Sequence, residues 1–180
     1  MQRLTVYCGS RHGHDSMYAA AARSLGEAMA ARGIGLVYGA AQIGLMGVLA
    51  DAVLAGGGEV IGVIPEALMQ EEVVHRGLTR LEVVETMHLR KARMLELGDA
   101  MVALPGGLGT LEEWFEALTW LQLRFHQKPC GLLNVGGYFD SLLNFLDGSQ
   151  VSGFLAPEHR SMIRVHGEAR PLLFDLMPQS

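Results

Sequence analysis

A glycine-rich segment followed by two glutamates is the part of this 180-residue chain whose residue types could do chemistry. Residues 104–113 read LPGGLGTLEE, after an apolar run over 100–104 and before a helical pattern from 110 to about 123. A helix N-terminus offers unpaired N–H groups and the positive end of the helix dipole, and glycine lets a ligand approach the backbone. The segment therefore predicts an anion site, and three glycines in four positions exceed what a turn needs. The alternative is a capped helix only, with Thr110 as N-cap and Glu113 completing a capping box.

A second segment, residues 87–94, places positive charge on an apolar stripe. At 100° per residue, Met87, Met94 and Leu97 share one face of a helix. Arg90 falls within that face and Lys91 lies at its edge. A guanidinium on an inward face needs a partner, because a buried unpaired charge is costly. Either the side chain extends to solvent or pairs with a core carboxylate, or it binds a phosphate or the reacting sugar, for which the planar arginine fork is suited.

Composition excludes several function classes. A net charge of -5 with two lysines counts against sequence-independent nucleic-acid binding. No uninterrupted apolar run approaches about 18 residues, so we expect no membrane span and no membrane partner. Cys8 and Cys130 lie in apolar runs without metal-ligand spacing, which is typical of reduced thiols in a cytoplasmic protein. Residues 12–14 (HGH) could reach a metal, but the pattern is more typical of a polar loop, so no metal is predicted.

Short apolar runs alternate with helical patterns along the chain. This alternation predicts a single α/β domain over residues 1–180, a Rossmann-like doubly wound parallel sheet with helices on both faces. Strands are predicted at 4–8, 34–38, 60–64, 81–84, 100–104, 131–135 and 162–165. Helices are predicted from 15 or 16 to about 32, from the glycine segment 39–47 to about 55, and over 86–97, 110–123, 138–146 and 172–176.

Parallel sheets bind ligands at the carboxyl ends of their strands. Glycine-bearing strand ends occur at Gly9-Ser10, from Gly39 onward, and over residues 105–110. The dinucleotide fingerprint fails, because Glu112 stands at its third glycine position, and no lysine follows the glycines as a Walker motif requires. A mononucleotide or a sugar phosphate is therefore the expected ligand.

Several of these motifs resemble those of one family. Residues 105–113 (PGGLGTLEE) match the P-G-G-x-G-T-x-x-E motif of the Lonely Guy (LOG) family, and residues 87–91 (MHLRK) resemble its M-H-x-R-K. Residues 8–10, 44–47, 131–134 and 137–139 are similar as well, so the likeness extends from residue 4 to about 155. Members are cytokinin riboside 5′-monophosphate phosphoribohydrolases, often mislabelled lysine decarboxylases. Ala40 and Ala41 stand where the family has glycines, and their methyl groups are expected to narrow backbone access and to alter nucleotide affinity or base preference.

The resemblance implies hydrolysis of the N-glycosidic bond of a nucleoside 5′-monophosphate, releasing free base and ribose 5-phosphate. It implies Arg90 and Glu113 as the catalytic pair, with no metal or organic cofactor. A carboxylate suits this chemistry, because it stabilises the positive charge that develops on the sugar. The expected substrate-binding residues are Gly9, Ser10, Gly39, Met46, Gly47, Glu72, Met87, Lys91, Pro105, Gly106, Gly107, Gly109, Thr110, Glu112 and Thr119.

Two other functions stay open on the sequence. The first is a non-enzymatic carrier of a nucleotide or of the molybdenum cofactor, which needs the phosphate loop but no acid at Glu113. The second is a general AMP nucleosidase with cytokinin nucleotides as minor substrates, because no motif marks the base pocket.

The helix after the glycine loop predicts a homodimer with that helix near the interface. Its apolar residues surround the helix almost completely, and such a helix must be buried on more than one side. Leu111, Trp114, Phe115, Leu118 and Leu121 form one face, while Trp120 and Leu123 point elsewhere. Burial under neighbouring helices of the same chain is the alternative.

Overall fold

The computed structural model describes residues 1–70 and 73–178. Within these residues strands and helices alternate, except that a 3₁₀ turn (Glu66–Leu68) separates the third and fourth strands and two helices stand in succession before the last strand. The strands are β1 (Arg3–Tyr7), β2 (Gly35–Tyr38), β3 (Val60–Pro65), β4 (Arg80–Val84), β5 (Ala100–Ala103), β6 (Cys130–Leu133) and β7 (Ile163–His166). The helices are α1 (Ser16–Ala31), α2 (Gly44–Ala55), α3 (Met87–Leu97), α4 (Leu108–Gln122), α5 (Asp140–Val151), α6 (Pro157–Arg160) and α7 (Ala169–Leu176).

The strands form one parallel sheet in the order β4-β3-β2-β1-β5-β6-β7. One apolar core lies between the sheet and α1, α2 and α7, and a second core lies between the opposite face and α3, α4 and α5. The predicted α/β class, with a doubly wound parallel sheet and helices on both faces, is confirmed. β2, β3, β5 and β6 are buried along their whole length because both faces are covered, and this explains their continuous apolar sequences.

The strand order reverses beside β1. The chain moves from β1 outward to β4 and then returns to place β5 on the other side of β1. The helices that follow β1 and β5 therefore pack on opposite faces of the sheet, and a crevice opens between the carboxyl ends of these two strands. This is the position where open α/β sheets bind their ligands.

Two of the helices at the site, α1 and α3, begin at a side-chain cap that the sequence indicates. Asp15 caps α1 by accepting a hydrogen bond from the N–H of Met17, and Thr86 caps α3 by accepting one from the N–H of Leu89. The predicted capping box on α4 is wrong. That helix begins at Leu108 with Gly107 as N-cap, so Thr110 lies inside its first turn.

Other differences are shifts of element ends. β6 ends at Leu133 rather than 135, and α5 begins at Asp140 rather than 138, because a short 3₁₀ turn over Val135–Gly137 intervenes. The four-residue helix α6 was not predicted from the sequence. None of the helices within residues 1–70 and 73–178 combines the length and the apolar character that crossing a bilayer requires.

Candidate functional site

A cleft of about 690 Å³ lies at the carboxyl ends of β1, β2 and β5. Its walls come from the loop after β1, the start of α2, one residue of α3, and the glycine loop leading into α4. The lining residues are Val6, Tyr7, Cys8, Gly9, Ser10, Arg11, His12, Gly13, Tyr18, Gly39, Leu45, Met46, Arg90, Pro105, Gly106, Gly107, Leu108, Gly109, Thr110, Glu113 and Tyr138.

The Arg90 guanidinium is buried and held in one orientation. Its Nε donates to the carbonyl of Val63 at 3.1 Å, and its Nη2 donates to the carbonyl of Gly39 at 3.2 Å. Its Nη1 lies 3.6 Å from Met87 Sδ and 3.8 Å from Glu113 Oε1. A side chain at position 39 would overlap the guanidinium, so the guanidinium keeps this position only while residue 39 is glycine. The positive charge on the inward face of α3 thus contacts two backbone carbonyls and one carboxylate.

The carboxylate of Glu113, on α4, lies beside the Arg90 guanidinium. Its side chain is 15% exposed and lines the cleft. Burial and then the negative charge of Glu113 raise the pKa of Tyr7 well above its ordinary value, and the same two causes raise the pKa of the Cys8 thiol. Both neighbours therefore stay neutral at pH 7. This end of the cleft therefore places the Arg90 and Glu113 side chains beside a neutral phenol and a neutral thiol.

The start of α4 faces the cleft with open backbone. Gly107 is the N-cap, no side chain of the described residues caps the helix, and its first turn carries no acidic residue. A Cβ at Gly107 or Gly109 would meet no atom within 4 Å, so the space beside these glycines is free for a ligand. A Cβ at Gly106 would instead overlap the Thr110 hydroxyl, which brings that buried hydroxyl close to the loop. Free N–H groups, the helix dipole and a hydroxyl together form an anion-binding surface.

Two further contacts fix the glycine loop. The N–H of Gly9 donates to the carbonyl of Pro105 at 3.1 Å, which joins the loop after β1 to the loop after β5. The Tyr138 hydroxyl donates to the carbonyl of Gly106 at 2.7 Å, and the Tyr138 ring packs edge-on against Tyr18 with ring centroids 5.5 Å apart. The anion-binding surface is therefore held from both sides.

Most of the residues predicted for the site line the cleft. Both members of the predicted catalytic pair do so, together with Gly9, Ser10, Gly39, Met46, Pro105, Gly106, Gly107, Gly109 and Thr110. Gly47, Met87, Lys91, Glu112 and Thr119 do not line it. The Met87 sulfur contacts the Arg90 guanidinium. Thr119 is exposed further along α4. Glu72 lies outside the described residues. The substrate contacts of these six residues stay predictions.

Lys91 ties α3 to α4 beside Arg90 and Glu113. Its buried ammonium lies between the carboxylates of Glu112 and Glu116, one on each side of Glu113 in sequence. Burial lowers the pKa of Lys91, but hydrogen bonds to Glu112 and then Glu116 outweigh it, so the pKa is raised overall. These ion pairs fix the distance between the helix that carries Arg90 and the helix that carries Glu113.

The two alanines that replace family glycines turn away from the cleft. Ala40 is fully buried at φ 69°, and its methyl group packs near Gly62 of β3. Its carbonyl accepts the N–H of His75, and Ala41 pairs with Val74 in an isolated antiparallel bridge. Neither alanine lines the cleft, so the structure does not show the narrowing of backbone access expected from the sequence.

The sequence did not single out several lining residues as site residues. They are Val6, Tyr7, Cys8, Arg11, His12, Gly13, Tyr18, Leu45, Leu108 and Tyr138. Arg11 and His12 follow directly after Gly9-Ser10, which the sequence indicates as a glycine-bearing strand end. Their position in the chain could therefore have marked them as site residues. Tyr18 and Tyr138 lie far apart in sequence, and only the packing of α1 against the segment before α5 brings them together.

Among the described residues, no three His, Cys, Asp or Glu side chains lie together as a metal site.

Known proteins resemble this chain in sequence and in fold. A family model described as possible lysine decarboxylase matches residues 46–176. A cytokinin riboside 5′-monophosphate phosphoribohydrolase of Rhodococcoides fascians is 50% identical over 163 residues, which cover 90% of this chain and 82% of that protein. One from Arabidopsis thaliana is 47% identical over 172 residues, covering 96% and 81%. The solved molybdenum cofactor carrier protein of Chlamydomonas reinhardtii superposes with a TM-score of 0.73 over 99% of both chains, but at 18% identity it shows the fold alone.

Proposed function

Because this chain belongs to the family of cytokinin riboside 5′-monophosphate phosphoribohydrolases, we propose that it hydrolyses the N-glycosidic bond of a nucleoside 5′-monophosphate. The products are the free base and ribose 5-phosphate, and water is the only co-substrate that the reaction needs. The observation that carries the proposal is one cleft that joins a buried Arg90–Glu113 pair to the uncapped N-terminus of α4.

The two parts of the cleft suit the two ends of the substrate. The 5′-phosphate binds the N–H groups at the start of α4, where helix dipole and free donors favour a dianion. Glu113, a turn and a half further along the same helix, then faces the ribose. As the bond between C1′ and the base breaks, positive charge develops on the sugar, and the carboxylate stabilises it. Glu113 also orients the water that adds hydroxide to C1′ while the base takes the proton.

Arg90 holds the carboxylate in place and offers its remaining hydrogen-bonding capacity to the ribose. Its three donor nitrogens already contact Val63, Gly39 and Glu113, so its orientation is fixed before substrate binds. Such preorganisation reduces the cost of reaching the transition state. The remote phosphate contacts position the sugar against this fixed pair.

Decarboxylation of lysine is not supported by the position of the lysines. Lys91 is engaged by Glu112 and Glu116, and Lys128 donates to the carbonyls of Leu95 and Glu96. Neither lysine lines the cleft, so neither is positioned to form a Schiff base with a cofactor bound there.

A non-enzymatic carrier also fits the cleft poorly, since holding a phosphate does not call for a buried arginine–glutamate pair beside it.

Product analysis tests the function directly. The protein is incubated with AMP and, separately, with isopentenyladenosine monophosphate, and the products are separated by chromatography. Equimolar free base and ribose 5-phosphate are expected from both nucleotides. Recovery of unchanged nucleotide bound to the protein would establish a carrier instead, and the ratio of the two rates distinguishes a cytokinin-directed enzyme, which we propose, from a general AMP nucleosidase.

A single substitution tests the role of Glu113. Because Glu113 is not part of a capping box, Glu113→Gln removes charge without removing a helix cap. We expect a folded protein that still binds AMP and hydrolyses it about a hundredfold or more slowly. Glu27→Gln is the matched control, because it removes the same charge from an exposed position on α1 outside the cleft, and it should retain the activity. Wild-type turnover in Glu113→Gln would remove Glu113 from the mechanism.

We further propose that the protein is a homodimer in the cytoplasm. On α4, Trp114 and Ala117 are buried against the sheet, whereas Leu111, Phe115, Leu118, Trp120 and Leu121 are only half-buried and Leu123 is 54% exposed. A second copy that covers this face would complete their burial. Sedimentation at micromolar concentration is expected to give twice the chain mass, and a monomer would contradict the proposal.

The proposed cytoplasmic location rests on two buried cysteines that carry free thiols.

A further inference from the structure

The cleft that receives a phosphate dianion is poor in available positive charge. Among the described residues that line it, none is a lysine, and the arginines are Arg11 and Arg90. Arg90 is committed to two carbonyls and to Glu113, whose negative charge offsets its own. The α4 N-terminus supplies only partial charge, and the chain as a whole carries -5. A phosphate of charge close to -2 therefore lacks a full cationic partner in the contacts described so far.

Arg11 is the cation that remains. Its side chain is exposed and lines the cleft, and within residues 1–70 and 73–178 it makes no ion pair or hydrogen bond through its guanidinium. Its long side chain is thus available to a ligand that enters from solvent. An arginine fork matches the oxygens of a phosphate and binds them through two parallel hydrogen bonds.

The backbone that carries Arg11 is held against the phosphate loop. The N–H of Gly9 donates to the Pro105 carbonyl at 3.1 Å, and a Cβ at Gly9 would lie 3.4 Å from the Gly106 Cα. On the other side the N–H of Leu45 donates to the Gly9 carbonyl at 3.0 Å, and Gly44, at φ 64°, packs directly on the peptide between Ser10 and Arg11. The base of the Arg11 side chain therefore stands at a fixed place, two residues along the chain from Gly9, which itself contacts the glycine loop.

We propose that Arg11 closes over the bound nucleotide as a second phosphate-recognition element, pairing its guanidinium with the 5′-phosphate from the side opposite the α4 N-terminus. This inference rests on the proposed function for the identity of the ligand. It assigns to Arg11 the discrimination between phosphorylated and unphosphorylated ribosides, because a neutral nucleoside offers the guanidinium no anionic partner. It also makes Arg11 the residue that attracts the substrate into the cleft of an acidic protein.

Substitution of Arg11 tests the pairing. Arg11 is exposed, so Arg11→Ala should fold, and we expect kcat/KM for AMP to fall about tenfold or more, mainly through KM. The inhibition constant of ribose 5-phosphate should rise by a similar factor, while that of adenosine, which lacks the phosphate, should stay within about twofold. Arg11→Lys keeps the charge but loses the fork, so an intermediate loss is expected. Arg23→Ala is the matched control, because it removes the same charge from an exposed position on α1 outside the cleft.

Calorimetry with ribose 5-phosphate measures the same contact without turnover. If the wild type binds ribose 5-phosphate but hydrolyses no nucleotide, the proposed function fails while the Arg11 assignment is still decided by the affinity of Arg11→Ala. If the wild type hydrolyses AMP and Arg11→Ala does so with unchanged KM and unchanged ribose 5-phosphate inhibition, the function stands and the Arg11 assignment is overturned. An equal loss toward ribose 5-phosphate and adenosine would also overturn it, because that pattern reports a damaged cleft.

Discussion

Replacement of Gly39 by alanine tests whether the position of the Arg90 guanidinium limits turnover. A Cβ at this position would overlap Arg90 Nη2, lie 3.1 Å from Arg90 Cζ and lie 2.6 Å from Met46 Cε. Since ordinary contacts between carbon atoms are about 3.5–4.0 Å, both side chains must retreat by roughly 1 Å. Each is the end of a flexible chain, so the backbone can stay in place while the guanidinium moves.

The displacement has two measurable consequences. The bond from Nη2 to the Gly39 carbonyl, 3.2 Å long, is weakened or lost, and a hydrogen bond from a charged group is worth about 1.5–3 kcal/mol. For a domain of this size we expect a loss of about 2 kcal/mol, or about 4–8 °C in Tm. The distances from the Arg90 guanidinium to Glu113 and to the bound ribose also change. A misplacement of about 1 Å at a reacting centre costs about a hundredfold in rate.

The assay is kcat for AMP hydrolysis under saturating substrate, with Tm measured on the same samples. Gly58→Ala is the control, because its Cβ would lie 2.6 Å from Val53 Cγ1, a comparable clash outside the cleft. We expect both variants to lose stability and only Gly39→Ala to lose kcat. A folded Gly39→Ala protein with more than half of the wild-type kcat would refute the link between the Gly39–Arg90 contact and catalysis.

Two further predictions concern the start of α4 and the edge of the sheet. Gly109→Ala should raise Tm slightly, because a helical alanine is favoured by about 0.5–1 kcal/mol, yet raise KM for AMP several-fold by filling open space beside the phosphate site. Gly148→Ala, also helical with an open Cβ position but outside the cleft, should raise Tm without changing KM, and equal KM values in the two variants would contradict the placement of the phosphate. For Glu82, the hydrogen bond from Arg93 is the largest cause that lowers its pKa below the ordinary 4.5, so its stabilisation is present above pH 4.5 and is lost as pH falls through the lowered pKa. The Tm gap between wild type and Glu82→Gln should be about 1–4 °C at pH 7 and should close as the pH falls through that lowered pKa, and a gap that stays constant in acid would rule out this ion pair as its cause.

The order of elements and the fold class were readable from the sequence. Buried parallel strands are continuous apolar runs, and glycine clusters end them, so local patterns are enough to place seven strands and to predict helices on both faces. Residues 105–113 and 87–91 identified the family through motifs that are short and contiguous. The inward face of Arg90 was also predictable, because helical periodicity alone puts it beside Met94.

Tertiary structure decided what those residues contact. Whether Thr110 caps α4 depends on how the chain leaves β5, and the extended Gly107 starts the helix earlier than the capping-box pattern predicts. Lys91 and Arg90 are neighbours in sequence, yet helix geometry turns one toward Glu112 and Glu116 and the other into the cleft. Arg11 follows a strand end that the sequence shows, but its position beside the glycine loop exists because β1 and β5 pair in parallel. Contacts between residues about a hundred positions apart depend on strand order, and strand order is set by the packing of the whole sheet rather than by any local stretch of sequence.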